Sequence, residues 1–197
     1  MHGKLTERTG DWIQTYTGMQ FWPVDPRPEE INIEDIAHAL SMQCRYAGHC
    51  IRFYSVAEHS VLLARHFRED SVHMRLWALL HDASEAYLTD VPRPLKPFLP
   101  GYKEAESAVM AAVVARFNML PFQMPAEVKR ADGCILADEA TQNMAEPPTA
   151  WNFTGDPLGI SLQYWSPLEA KAAFLSEFES ITDARRAALK MEGQSDE

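Results

Sequence analysis

The sequence predicts an all-α protein, and three observations carry that prediction. Apolar residues recur at the spacing of an amphipathic helix in six separate stretches of the chain. Several of these stretches open with a residue that favours a helix N-terminus. All 13 prolines lie between the stretches or at their first positions. The predicted helices cover residues 33–42, 55–68, 72–87, 102–119, 125–144 and 167–191.

Composition favours one globular domain that spans residues 1–197. The 197-residue chain is 46% hydrophobic and 10% aromatic, which is enough for a full core. The formal net charge of −10 argues against a nucleic-acid polymer as partner, since affinity for phosphate backbones comes from basic surface. A single nucleotide needs only a few local cations, and assembly into a homo-oligomer is left open.

Targeting and cysteine patterns predict a cytoplasmic protein with no membrane contact. No run reaches the roughly 18 apolar residues of a membrane span, and residues 1–10 lack the apolar stretch of a secretion signal. Cys44, Cys50 and Cys134 form an odd set without a C-x-x-C pair. Such a set is typical of free, buried thiols in a reducing compartment.

Two segments rich in aromatic residues and proline lie outside the predicted helices. Residues 9–30 hold four large aromatic side chains without a helical period, so we expect an extended or turn-rich segment packed on the body of the protein. This segment either caps the core or covers a ligand pocket. Residues 146–164 form a late loop of the same kind.

The first two predicted helices begin with clear signals. Asn32 is a favoured N-cap residue, and Ser55 with Glu58 has the pattern of a capping box. His59 falls within the apolar stripe of the second helix. A buried histidine has to satisfy both ring nitrogens, either as a hydrogen-bonded core residue or with a metal ion on one nitrogen and an acceptor on the other.

The third predicted helix, over residues 72–87, contains His81, Asp82 and Glu85 within five residues. In a continuous helix Glu85 would lie beside both of the others. Adjacent side chains project about 100° apart, so His81 and Asp82 can converge on one ion only if partners arrive from other helices. A loop with three prolines follows and carries Asp90 and Lys96.

The fifth predicted helix supplies such a partner. Pro125 suits its first position, and Asp132 lies next to its inward stripe. An unpaired carboxylate on a buried face costs several kcal/mol, so we expect a cation or an arginine against Asp132. Asp138 projects about 240° from Asp132 around the axis of the same helix. We expect Asp138 and Glu139 to be solvated. The last helix opens with a second capping box at Ser166.

Two imidazoles and two carboxylates thus form a candidate ligand set for one divalent metal ion: His59, His81, Asp82 and Asp132. Nitrogen and oxygen ligands that leave coordination positions open are typical of a catalytic site, whereas a structural zinc site is usually rich in cysteine. The pattern does not choose among Mn, Co, Zn, Fe and Mg.

The order His…His-Asp…Asp resembles the HD superfamily of metal-dependent phosphohydrolases. The matched segments are 56–60, 81–85, Asp90-x-Pro and 129–132, and they look like those of the bacterial 5′-deoxynucleotidase branch over about residues 35–144. The resemblance implies an HD-domain helical bundle, one bound divalent ion and hydrolysis of nucleotide phosphate esters. It also implies that Arg45 and Tyr46 contact the sugar and phosphate, although the family has Trp at the second position.

Further roles follow from the same resemblance. Glu85 would orient the nucleophilic water or handle its proton, or else only orient a ligand histidine. Asp90 would protonate the leaving oxygen or position a water, or else cap the Pro-rich loop. Lys96 would neutralise phosphate oxygens together with Arg45, or else be solvated.

These assignments predict a phosphohydrolase of (deoxy)nucleoside 5′-monophosphates, acting by attack of a metal-bound water on the α-phosphorus. The same site would serve a (deoxy)nucleoside triphosphate triphosphohydrolase. A different class of protein, a non-catalytic HD module that binds nucleotide, is the third reading.

Overall fold

The computed structural model describes residues 8–194, and within this range it confirms the all-α prediction. The helices there are α1 (Ile33–Met42), α2 (Val56–His66), α3 (Val72–Leu80), α4 (Glu85–Leu88), α5 (Tyr102–Phe117), α6 (Ala126–Asn143) and α7 (Pro167–Gln194). A short antiparallel ribbon pairs β1 (Ile13–Gln14) with β2 (Gln20–Phe21). Five of the six predicted helices are present with ends shifted by at most three residues.

The third predicted helix is interrupted, which corrects the continuous helix over residues 72–87. Between α3 and α4, residues 81–84 form a turn in which Ala83 N–H bonds the Leu80 carbonyl and Glu85 N–H bonds the Asp82 carbonyl. These are i→i−3 bonds, tighter than those of an α-helix. The His81 ring contributes to the break, because its Nδ1 bonds the Ala78 carbonyl at 2.8 Å. In a continuous helix that carbonyl would accept from the Asp82 backbone.

Helix α7 holds the bundle together by packing across α1, α2 and α3. Phe174 and Ile181 of α7 are fully buried there, as is Leu63 of α2. Complete burial of side chains of this size contributes roughly 1.5–3 kcal/mol each. An ion pair between Arg75 and Glu177, at 2.9 Å, links α3 to α7 at the edge of this contact.

The capping signals position the helices as predicted, but the carboxylate of one capping-box residue, Glu58, has other partners. Asn32 accepts from the backbone of Glu34 at 2.9 Å, and Ser55 accepts from the backbone of Glu58 at 3.0 Å. The Glu58 carboxylate, which is fully buried, accepts from three successive backbone N–H groups of residues 163–165 at 2.7–2.8 Å. The late loop is therefore fixed onto α2.

The N-terminal aromatic segment packs on the body at one residue in particular. Phe21 is fully buried, belongs to the main core and stacks on Tyr87 with 4.0 Å between ring centroids. The Asp35 carboxylate of α1 accepts from the backbone and hydroxyl of Thr17 and fixes the ribbon in place. Trp12 and Tyr16 remain 43% and 57% exposed. Among the described residues, no helix has the length and apolar character needed to cross a membrane.

Candidate metal centre

Three side chains from separate elements bring their ligand atoms to one point. Nε2 of His59 on α2 lies 3.3 Å from Nε2 of His81, which follows α3. Oδ1 of Asp132 on α6 lies 3.2 Å from the His59 atom and 3.6 Å from the His81 atom. Ligands about 2.1 Å from one ion stand about 3.0 to 3.4 Å apart at octahedral or tetrahedral angles. The group could therefore hold a metal ion.

Asp82 faces the same point from the turn after α3. Its Oδ2 lies 3.2 Å from Nε2 of His81 and 3.8 Å from Nε2 of His59. The two histidine side chains are only 0% and 3% exposed, whereas those of Asp82 and Asp132 are 20% and 23% exposed. The structure thus brings the four residues of the predicted ligand set together, with the carboxylates on the side that solvent can reach.

The Nδ1 atoms of both imidazoles, on the side of the ring away from the other ligands, form hydrogen bonds to acceptors. His59 Nδ1 donates to Oε1 of Glu139 at 2.7 Å, and His81 Nδ1 donates to the carbonyl of Ala78 at 2.8 Å. Because carboxylates and carbonyls only accept, each Nδ1 carries a proton. In the neutral ring each Nε2 then presents a lone pair toward Asp82 and Asp132, which is the tautomer that metal ligation needs.

The electrostatics of the cluster favour a positive charge at its centre. Burial acts to lower the pKa of His81, yet Asp82 and Asp132 outweigh it and raise that pKa well above its ordinary value. Burial acts to raise the pKa of Asp132, but hydrogen bonds with His59 and His81 bring it below its ordinary value. Without an ion, the carboxylates thus favour a proton on the imidazoles. The same two carboxylates would stabilise a divalent cation.

Glu139 is the residue of this site that sequence reasoning missed. It was expected to be solvated, but the structure buries it completely. Its carboxylate accepts from His59 and from three further side chains, namely Arg45 (3.2 Å), the hydroxyl of Tyr46 and the hydroxyl of Tyr54 (3.0 Å). Burial acts to raise the pKa of Glu139, but Arg45 and His59 lower it to about 2. The residue is an ionised acceptor at the centre of a buried network.

A signal for Glu139 was present in the sequence. It follows Asp132 by seven residues, which is close to two helical turns, so both residues share one face of α6. Asp138 was also expected to be solvated, and this too is wrong, since it is 6% exposed. Its carboxylate accepts from the backbone N–H groups of residues 158–160 at 2.7–3.2 Å. It therefore holds the late loop instead of facing the ligand cluster.

No protein-family model matches the chain. The chain is 34% identical over 180 residues to YfdR of Escherichia coli K12, a protein described as uncharacterized, and the match covers 90% of this chain and 99% of YfdR. The chain belongs to the YfdR family. A protein of Rhodobacter capsulatus, also described as uncharacterized, is 35% identical over 183 residues, which is 83% of this chain and 91% of its relative. The names of these YfdR-family proteins state no activity.

In this member of the YfdR family, Glu85 lies beside the cluster with one oxygen unpaired. It is 6% exposed, and its Oε2 is buried with no hydrogen-bond partner among the described residues. Its Oε1 lies 3.7 Å from Nζ of Lys96. Burial, with the nearby charges of Asp82 and Asp90, raises the pKa of Glu85 to about 9. In the metal-free protein, burial and these like charges therefore favour the protonated form of Glu85.

Lys96 and Asp90 lie around Glu85. Lys96 Nζ is 2.6 Å from Oε1 of Glu106, so its charge is shared between two carboxylates. The backbone of Asp90 donates to the side chain of Gln43 at 2.8 Å. Burial raises the pKa of Asp90, with Arg45 opposing the rise. Both predicted residues thus lie close to Glu85 and to the charges of the ligand cluster.

Arg45 and Tyr46 connect the ligand cluster to Glu139. Nη1 of Arg45 is 3.6 Å from Oδ2 of Asp82, and Nη2 is 3.2 Å from Glu139. The turn after Arg45 is tight, because Tyr46, Ala47 and the following glycine all have positive φ, between 51° and 79°. Positive φ costs non-glycine residues about 1–3 kcal/mol each. The bond from Tyr46 to Glu139 offsets part of that strain.

Two concavities of the described surface are not lined by the predicted ligands. One, of about 460 Å³, is mainly apolar and includes Met144, Trp151 and Phe153. The ring of Trp151 is 6.3 Å from that of Tyr46, so this concavity is next to the Arg45–Tyr46 turn. The other, of about 550 Å³, is more polar and lies between α6 and the late loop.

Proposed function

We propose that this protein is a metal-dependent phosphohydrolase of the HD type that acts on (deoxy)nucleoside 5′-monophosphates. The observation that supports this proposal best is that the two histidine Nε2 atoms lie 3.3 Å apart, each within 3.2–3.8 Å of one oxygen of both carboxylates, beside a buried acid and a buried arginine. The resemblance to the HD superfamily supplies the substrate class.

The donor set fits a divalent ion. His59, His81, Asp82 and Asp132 would hold it, and two neutral imidazoles with two carboxylates carry a net charge of −2, which a divalent cation neutralises. The buried imidazoles are oriented by the acceptors on their outer nitrogens, and the more exposed carboxylates leave room for substrate. When bound, the ion supplies a water of lowered pKa and polarises the phosphoryl oxygens.

Glu85 is the residue proposed to take the proton of the attacking water. Within residues 8–194 its Oε2 has no hydrogen-bond partner, and Lys96 keeps a positive charge 3.7 Å from Oε1. A cation among the neighbouring ligands favours the ionised form of Glu85, which can accept a proton. General base catalysis of this kind contributes about 10²–10⁴-fold to a rate. Asp90 is then the acid proposed to protonate the leaving ribose oxygen.

Arg45 and Lys96 are proposed to bind the substrate phosphate. Arg45 is 9% exposed and its guanidinium already bonds Glu139 through Nη2, while its Nε has no hydrogen-bond partner in the part of the chain that the structure describes. Its remaining donors can bind a phosphate next to Asp82 with fork geometry. Tyr46, held by Glu139, would place its ring against the sugar.

The decisive experiment is turnover by the full chain after metal removal and reloading with Mn²⁺ or Co²⁺. We expect inorganic phosphate from deoxynucleoside monophosphates and none from the metal-free protein. Tripolyphosphate from triphosphates would identify a triphosphohydrolase with the same site. Bound metal and bound nucleotide without any product would overturn the catalytic proposal in favour of a binding module.

A matched control separates metal loss from misfolding. Asp132→Asn keeps the shape of the side chain but removes the charge, so it should bind metal weakly and give no product. Asp138→Asn changes a neighbouring buried carboxylate of α6 that holds the late loop. Its metal content and turnover should stay close to wild type.

A further inference from the structure

Two of the three cysteines lie in direct contact. Sγ of Cys44 is 3.4 Å from Sγ of Cys50, and both side chains are partly exposed, while Cys134 is buried. Sequence reasoning expected free, buried thiols; all three are free, but the partial exposure of Cys44 and Cys50 corrects the expectation that they are buried. A disulfide needs a sulfur–sulfur distance of about 2.05 Å. The two sulfurs are therefore about 1.3 Å farther apart than in a disulfide.

The backbone on both sides of the pair is fixed, so the contact does not depend on a free loop. Cys44 forms a backbone bridge with Ser55, and Ile51 N–H bonds the Asn143 carbonyl at 2.8 Å. Cys50 Sγ also lies 3.8 Å from the carbonyl of Arg45. Between these anchors, residues 45–49 contain the turn with three positive φ values. The fold therefore holds the two thiols at the base of this turn.

We propose that Cys44 and Cys50 form a reversible disulfide when the protein meets a peroxide. This is a modification site separate from the metal centre, and its co-reactant is a small hydroperoxide that enters from the exposed side of the pair. The cross-link closes the turn that carries Arg45 and Tyr46, whose side chains both bond Glu139.

The chemistry of the pair is asymmetric. Burial and the hydrogen bond with Cys44 raise the pKa of Cys50 to about 11, so Cys50 keeps its proton at neutral pH. The Cys44 sulfur attacks hydrogen peroxide, the O–O bond breaks, and the Cys44 proton passes to the departing hydroxide, so that Cys44 becomes a sulfenic acid as water leaves. Cys50 then attacks the Cys44 sulfur, gives up its proton and releases a second water. The two thiols lose two electrons in total, and the peroxide gains them.

The disulfide should alter the proposed active site. Closing the sulfurs by about 1.3 Å shifts the start of the turn, and a misplacement near 1 Å costs up to ~10²-fold in rate. This second part rests on the proposed function, whereas formation of the cross-link does not.

Peptide mapping tests the cross-link without any activity assay. Trypsin cleaves after Arg45, between the two cysteines, so a disulfide keeps together two peptides that otherwise separate. After treatment of the full chain with hydrogen peroxide, we expect this linked pair, lighter by two hydrogens than its reduced parts and released by dithiothreitol. Cys44→Ser and Cys50→Ser should abolish it. Cys134→Ser, the matched control, should retain it.

The outcomes separate the two parts of the proposal. Two thiols that stay reduced, or that oxidise separately to sulfinic acids, would overturn the disulfide. A linked pair in a protein that hydrolyses nucleotides as fast as before would overturn its effect on the site. A peroxide-dependent loss of rate in wild type that is absent in Cys50→Ser would support both. If no variant hydrolyses nucleotides, the linked peptide still supports the modification while the proposed function fails.

Discussion

Replacing Glu139 by glutamine tests whether one buried carboxylate supports both the candidate metal centre and the Arg45–Tyr46 turn. The carboxylate accepts four hydrogen bonds, from His59, Arg45, Tyr46 and Tyr54. The amide of glutamine has one oxygen that accepts about two of them, and its NH₂ group faces the other two donors.

The expected loss of stability follows from that count. Two unsatisfied buried donors cost about 1–3 kcal/mol each, which gives about 2–6 kcal/mol. Removing one partner of a buried ion pair costs about 3–5 kcal/mol, which falls within the range obtained from the two unsatisfied donors. We therefore expect the free energy of unfolding of metal-free Glu139→Gln to fall by about 4 kcal/mol. Urea unfolding followed by circular dichroism measures this change.

The metal affinity should fall as well, because Glu139 fixes the Nδ1 proton of His59. Losing an outer hydrogen-bond partner of a ligand histidine costs about 10–100-fold in affinity. Titration against a competing chelator measures the affinity, under conditions in which the variant is folded. Asp138→Asn is the control, since it should lower stability but keep the wild-type affinity. A folded Glu139→Gln protein with wild-type metal affinity would refute the proposed role of this carboxylate.

The other predictions concern single side chains and pH. Glu85→Ala should keep its metal and bind nucleotide but hydrolyse it about 10²–10⁴-fold more slowly. Elemental analysis and phosphate release on one preparation measure both quantities. If the variant also loses its metal, Glu85 is instead a metal ligand or a residue that orients one. His59→Ala should lose both metal and turnover, whereas equal metal content in variant and wild type would exclude His59 as a ligand. Glu58→Gln should release residues 163–165 and lower stability by about 2 kcal/mol, visible as faster amide exchange there, and unchanged exchange would contradict the role given to Glu58. The pKa of Glu139 is lowered from 4.5 to about 2, so its contribution to stability in the metal-free protein should be complete above about pH 5 and disappear toward pH 2. The stability difference between wild type and Glu139→Gln should shrink over that range, and a constant difference would contradict the assignment.

Local signals predicted most helix ends because they act over a few residues. Asn32 bonds the backbone two residues later, and Ser55 bonds the backbone three residues later, as their residue types suggest. The histidines and aspartates of the candidate centre could be selected from residue type and order. Their convergence could not be derived from one helix, since it depends on three separate elements.

The wrong predictions share one cause. In each case the hydrogen-bond partner of the side chain is distant in sequence or is a group that the regular helix pattern does not use. Glu139 looks like a solvated residue until the donors from positions 45, 46, 54 and 59 surround it. Glu58 matches a capping box, yet its carboxylate bonds a loop more than 100 residues later. The break after α3 depends on the His81 ring bonding a backbone carbonyl, which competes with the α-helical pattern.

The position of α7 has a consequence for how the protein is made. This helix comes after α1, α2 and α3 in the sequence but packs across all three, so its contacts join residues about 100 positions apart. While the ribosome still covers α7, the earlier helices lack the surface that closes their core. Helices α2 and α3 can already pack on each other at that stage, but the face of each that α7 covers is still open. Stable binding of a metal ion at the candidate centre should therefore begin only after α7 has been synthesised.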